Sequence, residues 1–309
     1  MVGRDSLWSI SCKGEKVYKK LLDKLEASWN SQPDKPEETP ESTLRALYFA
    51  AAGNPLSAGK AASVPLPGLD KKSEKKLISL VERRCNGIPL AYITGRQQFM
   101  GLEMLVSPAA MIPREETLVL GNEALSIARS LSQKRGDLTL LDVCSGSGNV
   151  ILGIMAHEQN TRGFGSDLSY EAVELARMNA SHLGLEERIE FRQGDLFQPF
   201  KTEDFLGRID IITCNPPYIS SKNVPKLHPE ISDHEPHMAF DGGPYGLNIL
   251  TRLIRESPVF LKSSSFLCFE VGLGQGEFIK RKLKNSNQFR EIRPLKDNAH
   301  QIRAFTAQT

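Results

Sequence analysis

Leu138-Thr-Leu-Leu-Asp-Val-Cys-Ser-Gly-Ser-Gly-Asn-Val-Ile151 decides the fold: a short apolar run, a turn of small residues, and the opening of a helical pattern. Further short runs follow at Gly163–Ser166, Ile189–Arg192, Ile209–Cys214 and Phe266–Val271, with helical spacing between them. A helix from about Glu116 to Leu131 precedes the first run. Strands alternating with helices build a parallel sheet, because a parallel connection has to cross over the sheet and a helix does so. Two late runs, Phe289–Ile292 and Gln301–Phe305, stand too close for an intervening helix, so they are expected as an antiparallel pair at the sheet's end. The class is α/β.

Upstream the apolar period is three and four. Val17, Leu21, Leu22, Leu25 and Trp29 mark a helix over Glu15–Trp29. Ser31–Pro40 holds Pro33, Pro36 and Pro40 with mixed charges and no apolar residue, and reads as a solvated connection that does not pack. Ser42 or Thr43 would cap a second helix over Leu44–Ala52, stopped by Gly53-Asn-Pro55. Leu77, Ile78 and Val81 mark a third over Lys71–Arg84. Residues 1–87 are therefore expected as a helical N-terminal domain, and 111–309 as the α/β domain. Between them, Ala91–Phe99 and Leu102–Val106 around Met100-Gly101 read as a β-hairpin in a linker over 88–110.

The 309 residues, 40% apolar and 25% charged, can bury a substantial core and match globular rather than disordered or collagenous chains. Lys plus Arg number 39 and Asp plus Glu 37, leaving +2, so no bulk positive field draws the chain to a nucleic-acid backbone. The five cysteines, Cys12, Cys85, Cys144, Cys214 and Cys268, include no C-x-x-C pair. That disfavours a zinc site or a disulfide framework and suits a reducing compartment, the cytoplasm or an organellar matrix or stroma. No apolar run approaches ~18 residues, so no membrane span is expected. Arg4, Asp5, Lys13 and Glu15 around Leu7–Ile10 leave no signal-peptide core. His228, His234 and His237, interleaved with Asp233 and Glu235, read as a solvated loop, and no metal is expected. A monomer is expected.

Gly146 and Gly148 let the backbone bend sharply and approach a ligand without a Cβ in the way, at the carboxyl end of a strand where such folds bind ligands. A tight structural turn is the plain alternative. Counted from Gly146, the register G-x-G-x-x ends on Ile151, neither Gly nor Ala, and no G-K-[ST] follows, so both the dinucleotide fingerprint and the P-loop are missing. Asp167 closes the second strand, where an acid can hold ribose hydroxyls; it can also cap the helix beginning near Tyr170. Asp195, after Gly194 and before Leu196, closes the third. There it can accept from an adenine amino group with Leu196 against the ring, or simply form a turn.

Asn215-Pro216-Pro217-Tyr218 closes the fourth strand. A planar nitrogen is a poor nucleophile because its lone pair is delocalised, so it has to be positioned. The Asn215 side-chain oxygen and the Pro216 carbonyl can accept both N–H bonds of an NH₂ group and aim the nitrogen's face at an electrophilic methyl group. The prolines stiffen that backbone, and Tyr218 can stack on the planar group.

Gly-x-Gly, Asp and Asp on three successive strand ends resemble the class I S-adenosylmethionine-dependent methyltransferases. With Asn215–Tyr218 added, the chain resembles the HemK/PrmC family, the protein-(glutamine-N5) methyltransferases that modify the Gly-Gly-Gln loop of peptide chain release factors. The resemblance covers nearly the whole chain. It is carried by Ile88-Pro-Leu-Ala-Tyr-Ile-Thr-Gly-Arg-Gln-Gln-Phe99, Ile112-Pro-Arg-Glu-Glu-Thr117, Glu235-Pro236, Asp241-Gly-Gly-Pro-Tyr-Gly-Leu247, Phe269-Glu-Val-Gly272 and Gln275-Gly276. It implies a Rossmann-like, seven-stranded methyltransferase sheet behind a small helical domain and a hairpin, S-adenosylmethionine as cofactor, and a class 1 release factor as protein partner.

By motif, the resemblance places the cofactor at Cys144, Ser145, Gly146, Ser147 and Gly148 with Asp167, Asp195, Leu196 and Asn215. It places the substrate amide at Asn215, Pro216, Pro217 and Tyr218, and it sets Arg114, Glu116 and Thr117 along the pocket's border. Three departures stand out: Cys144 where the family has Gly, Glu115 where Pro is common, and Asp297-Asn-Ala-His-Gln-Ile-Arg303 in place of a Gly-Arg-Asp-Arg-like turn. Adenine N6 and guanine N2 pose the same geometric problem, and nucleic-acid methyltransferases use similar loops. The charge balance and the acidic run Glu37–Glu41 weigh against direct nucleic-acid binding, and Lys71–Lys76 and Lys280–Lys284 read as solvated helix faces. A paralogue methylating another protein is the remaining alternative.

Overall fold

The computed structural model describes residues 12–30 and 34–309, which fall into two compact units, one ending at Ser107 and the other starting at Pro108. The run around Leu7–Ile10, the Cys12 side chain and Pro33 lie outside the described residues. In the first unit, helices α1 (Cys12–Ala27), α2 (Pro40–Ala51), α3 (Ala58–Ala62), α4 (Lys71–Cys85) and α5 (Leu90–Thr94) precede strands β1 (Arg96–Phe99) and β2 (Leu102–Leu105). Leu21, Leu25, Leu44, Leu47, Leu77 and Val81 bury the faces that the periodicity marks. Ile78 faces out at 40% exposure, and Leu80 is buried instead.

Three local expectations are corrected in this unit. The cap of α2 is Thr39, not Ser42 or Thr43: its side chain accepts from the Ser42 N–H while Ser42 Oγ accepts from the Thr39 N–H, with Pro40 as first helical residue. The connection before it packs. Lys35 and Glu38 are buried, and Glu38 lies 3.6 Å from Arg84, a charge that can leave water because it is paired. Residues 90–94 are helical rather than extended, entered at Pro89 and ended by Gly95 at φ +69°, since a Pro start and a left-handed Gly stop outweigh so short an alternation.

The hairpin therefore begins at Arg96. Met100 and Gly101, both at positive φ, make the tight turn that the strands' twist favours. It belongs to the first unit rather than to a linker: Ser57 donates its backbone N–H to Glu103 at 3.0 Å and Gln97 donates to Glu37 at 2.8 Å.

In the second unit a 3₁₀ turn at Glu115–Thr117 enters α6 (Leu118–Arg135). Then follow β3 (Leu138–Val143), α7 (Asn149–His157), β4 (Thr161–Asp167), α8 (Tyr170–His182), β5 (Ile189–Gln193), β6 (Ile209–Cys214), α9 (Pro229–Ser232), α10 (Asn248–Glu256), β7 (Leu261–Glu270), α11 (Gly276–Asn285), β8 (Glu291–Lys296) and β9 (Ile302–Gln308). The seven strands run in the order β5-β4-β3-β6-β7-β9-β8. Neighbours from β5 to β7 are parallel, and β9 is antiparallel to both β7 and β8. The expected late pair thus forms, although only β8 is at the edge.

β3 has β4 on one side and β6 on the other, so the winding reverses there, and the carboxyl ends around that point are where such sheets bind ligands. The core includes Phe197, Phe200, Phe260, Phe269 and Phe305. The altered turn before β9 is built locally, with Asp297 Oδ1 accepting from the Ala299 and Gln301 N–H groups at 2.9 Å. Among the described residues no helix is long and apolar enough to cross a membrane.

Candidate active site

The carboxyl ends of β3, β4, β5 and β6 border an open cleft, at the place where such sheets bind ligands. Cys144, Ser145, Gly146, Ser147, Asp167, Asp195, Leu196 and Asn215 through Tyr218 all line it. Gly148 does not line it: this residue is the N-cap of α7 at φ +77°, where a Cβ would sit 3.0 Å from Leu152 and Phe191. Its role is to let the turn close against the helix. Cys144 also holds a left-handed φ of +58°, a conformation that glycine adopts freely and other residues adopt under strain.

Asp167 accepts from Gly146 N at 2.8 Å through Oδ2 and from Ser169 N at 3.0 Å through Oδ1. The cap of α8 is Ser169, which accepts from the Ala172 N–H, so the capping alternative for Asp167 fails. Each carboxylate oxygen keeps a lone pair beyond its backbone bond, which fits a ribose diol in the cleft. Burial pushes the Asp167 pKa up against the pull of those backbone N–H groups.

Asp195 is already engaged. Arg252 of α10 lies 3.0 Å from both of its oxygens, a contact that no local motif announces. Asp142 also lines the cleft and was absent from the expected set. Burial pushes it up to about 7, although Thr213 donates to its Oδ1 at 2.6 Å. The available signal was an acid inside the apolar run Leu140–Val143.

Behind the cleft, Asn215 Nδ2 donates to Thr117 Oγ1 at 3.1 Å, and the Tyr218 hydroxyl donates to Glu270 Oε1 at 2.8 Å. Arg303 lies 3.3 Å from Glu116 and 3.9 Å from Glu270, so the last residue of the altered turn still reaches this cluster. Burial pushes Glu270 up to about 7, opposed by the Tyr218 and Thr117 hydroxyls and the Arg303 charge. Burial, then the Glu270 charge, raise the Tyr218 phenol well above its usual range.

Arg114, Glu116 and Thr117 are therefore not walls of the cleft; they support it. Arg114 is buried and ion-paired with Glu235, whose Oε2 accepts from Ile112 N at 2.9 Å. This fastens the segment before α6 to the loop whose Pro236 lines the cleft.

Backbone contacts clamp the Asn215–Tyr218 loop. Ile219 N donates to Phe240 O at 2.9 Å, Gly242 N donates to Ile219 O at 2.8 Å, and Gln275 Nε2 donates to Tyr218 O at 2.8 Å and Gly246 O at 3.2 Å. Gly246, at φ +68°, packs so closely that a Cβ would collide with the Tyr218 carbonyl. The Asp241–Leu247 and Gln275 motifs are thus the scaffold of this loop. His228 accepts from Glu230 N at the start of α9, and among the described residues no group of three or more His, Cys, Asp or Glu is placed to hold a metal ion.

Residues 134–256 match the family model described as a methyltransferase domain. The chain is 32% identical over 257 residues to the release factor glutamine methyltransferase of Moorella thermoacetica, covering 81% of this chain and 88% of that one. It is 35% identical over 217 residues to the release factor glutamine methyltransferase of Bacillus subtilis, covering 70% and 74%. Among solved structures it is similar to the hMettl16 catalytic domain in complex with a MAT2A 3′UTR hairpin. The TM-score is 0.55 at 14% identity, over 74% of this chain and 80% of that one, a likeness of fold alone. The seven-stranded order with its cleft at the reversal point is the class I methyltransferase fold.

Proposed function

Because the chain belongs to the release factor glutamine methyltransferase family, we propose that it methylates the side-chain nitrogen, N5, of the glutamine in the Gly-Gly-Gln loop of a class 1 peptide chain release factor, using S-adenosylmethionine. The observation that carries this reading is the Asn215 amide at the cleft. Its Nδ2 is committed to Thr117, and among the described residues nothing donates to its Oδ1. That oxygen and the Pro216 carbonyl form a pair of acceptors matched to the two N–H bonds of a primary amide.

The donor supplies an electrophilic methyl group on a sulfonium, which is already an activated leaving group. Held by two acceptors, the glutamine nitrogen presents the face of its amide plane, and the rate gain comes from orientation. As the N–C bond forms and the C–S bond breaks, positive charge develops on nitrogen and both N–H bonds become charge-assisted, so the acceptors stabilise the transition state more than the ground state. One N–H proton is then lost to solvent. Tyr218, its hydroxyl tied to Glu270, offers its ring to the amide plane. Cys144 through Ser147, Asp167, Asp195 and Leu196 would hold the donor, Asp195 with Arg252 already on it.

On this reading the chain acts as a monomer, in the cytoplasm or an organellar matrix, on a protein and not on nucleic acid, and the near balance of charge supports that choice. The test is methyl transfer from labelled S-adenosylmethionine to an intact release factor, beside the same factor with its Gly-Gly-Gln glutamine replaced. Transfer to the first and none to the second is expected. Equal transfer to both would place the methyl group elsewhere and refute the reading.

A further inference from the structure

The backbone around Asp195 is fastened on both sides. Gly194 N donates to Asp167 O at 2.9 Å, and Ser166 Oγ donates to Leu196 O at 2.6 Å, with Leu196 itself buried at φ +48°. The Asp195 side chain is placed differently. It is 43% exposed at the cleft, where a carboxylate left to itself turns about its own torsions and points at water. Arg252 holds it: Nη1 donates to Oδ1 and to Oδ2, each at 3.0 Å. The guanidinium is held in turn from one helical turn further on, where Glu256 Oε1 accepts from Arg252 Nε at 3.3 Å. α10 itself is anchored, with Leu250, Leu253 and Ile254 buried in the core and Ile249 on the cleft wall. An ion pair so exposed adds little stability; what it adds is direction.

We infer that Arg252 is a positioning residue for the methyl donor: by holding both oxygens of Asp195 it sets the plane of that carboxylate, and with it the site's preference for a ligand bearing the adenine amino group. This role rests on reading Asp195 as the acceptor for that amino group. Each oxygen keeps a lone pair beyond its bond to Arg252, so the fixed carboxylate takes an N–H from the ligand and gains nothing from a ligand without one. The nearby cation also weakens the carboxylate as an acceptor. That opposing effect is the smaller of the two, because water screens the charge of so exposed a pair, whereas a carboxylate turned out of line loses the ligand's hydrogen bond altogether.

Binding to the full chain is measured by calorimetry for S-adenosylhomocysteine and for the same molecule with hydrogen in place of its 6-amino group. The proteins compared are the unmutated chain, Arg252→Met, Arg252→Ala, Asp195→Ala, and Arg252→Met combined with Asp195→Ala. The unmutated chain should prefer the amino ligand on the order of tenfold, the effect of one hydrogen bond to a charged acceptor. Both Arg252 variants should cut that preference to about twofold or less, by weakening the amino ligand while the deaminated one stays within about twofold of its original affinity. The combined variant should match Asp195→Ala, because both changes remove one contact. Equal weakening of the two ligands, as general damage to the site would give, overturns the role, and so does tighter binding of the amino ligand once Arg252 is gone. A preference missing from the unmutated chain, or surviving in Asp195→Ala, overturns the adenine reading of Asp195 and this role with it; a preference lost in Asp195→Ala and kept in both Arg252 variants overturns this role alone.

Discussion

Asn215→Ala removes one of two acceptors and leaves the Pro216 carbonyl. A hydrogen bond between neutral groups contributes ~0.5–1.5 kcal/mol and one to a charged group ~1.5–3 kcal/mol, so the part specific to the charged transition state is about 1–1.5 kcal/mol. Freeing the amide to rotate out of line costs on the order of another hundredfold, ~2.7 kcal/mol. The sum, roughly 4 kcal/mol, corresponds to about a thousandfold in kcat.

The collateral cost is small and calculable. Thr117, fully buried, loses the bond at 3.1 Å, worth ~1 kcal/mol of stability and about 2–4 °C in Tm for a domain of this size. The donor side is held separately, through Gly146 N on Asp167 at 2.8 Å. S-adenosylmethionine affinity should therefore stay within about threefold. Single-turnover transfer at saturating release factor, with donor affinity by calorimetry, measures both. A kcat within tenfold of the unmutated enzyme, or a donor affinity falling in step with kcat, would refute the assignment of Asn215 to the amide.

Gly246→Ala should lower both stability and turnover, by ~1–3 kcal/mol in melting experiments, because its Cβ meets the Tyr218 carbonyl at a left-handed φ; an unaltered melting point would show that the loop gives way freely. Asp142 has its folded pKa raised from 3.8 to about 7, so its contribution to stability is whole below 3.8 and is lost as pH rises through 7. Asp142→Asn, which keeps an acceptor for Thr213, should therefore raise Tm more at about pH 8 than at about pH 5, and equal shifts at the two pH values would contradict its burial as a neutral acid. Cys144→Gly relieves a φ of +58°. The relief of ~1–2 kcal/mol exceeds the ~0.5–1 kcal/mol of added chain entropy, so differential scanning calorimetry should show a higher Tm, and a fall would mean that the packing of the Cys144 side chain against the core outweighs the relief.

Sequence by itself determined the α/β class, the strands Leu138–Val143 and Ile209–Cys214 to the residue, and the part of the cleft wall that stands at the strand ends, but not Ala109–Met111, Met238–Phe240 or Ile249, which complete it. The reason is local: a strand buried on both faces has to be mostly apolar, and a ligand turn needs small residues immediately after it. Competing local signals hid the helix at Leu90–Thr94, whose alternation yielded to a Pro start and a Gly stop, and the burial of Glu38, whose charge enters the interior once Arg84 can meet it. Tertiary structure alone decided the supporting contacts. Thr117 stands 98 residues from Asn215, Glu270 stands 52 from Tyr218, and Arg252 stands 57 from Asp195. A side chain's type announces that it needs a partner, but which partner arrives depends on how distant strands and loops close around it, and no local pattern carries that.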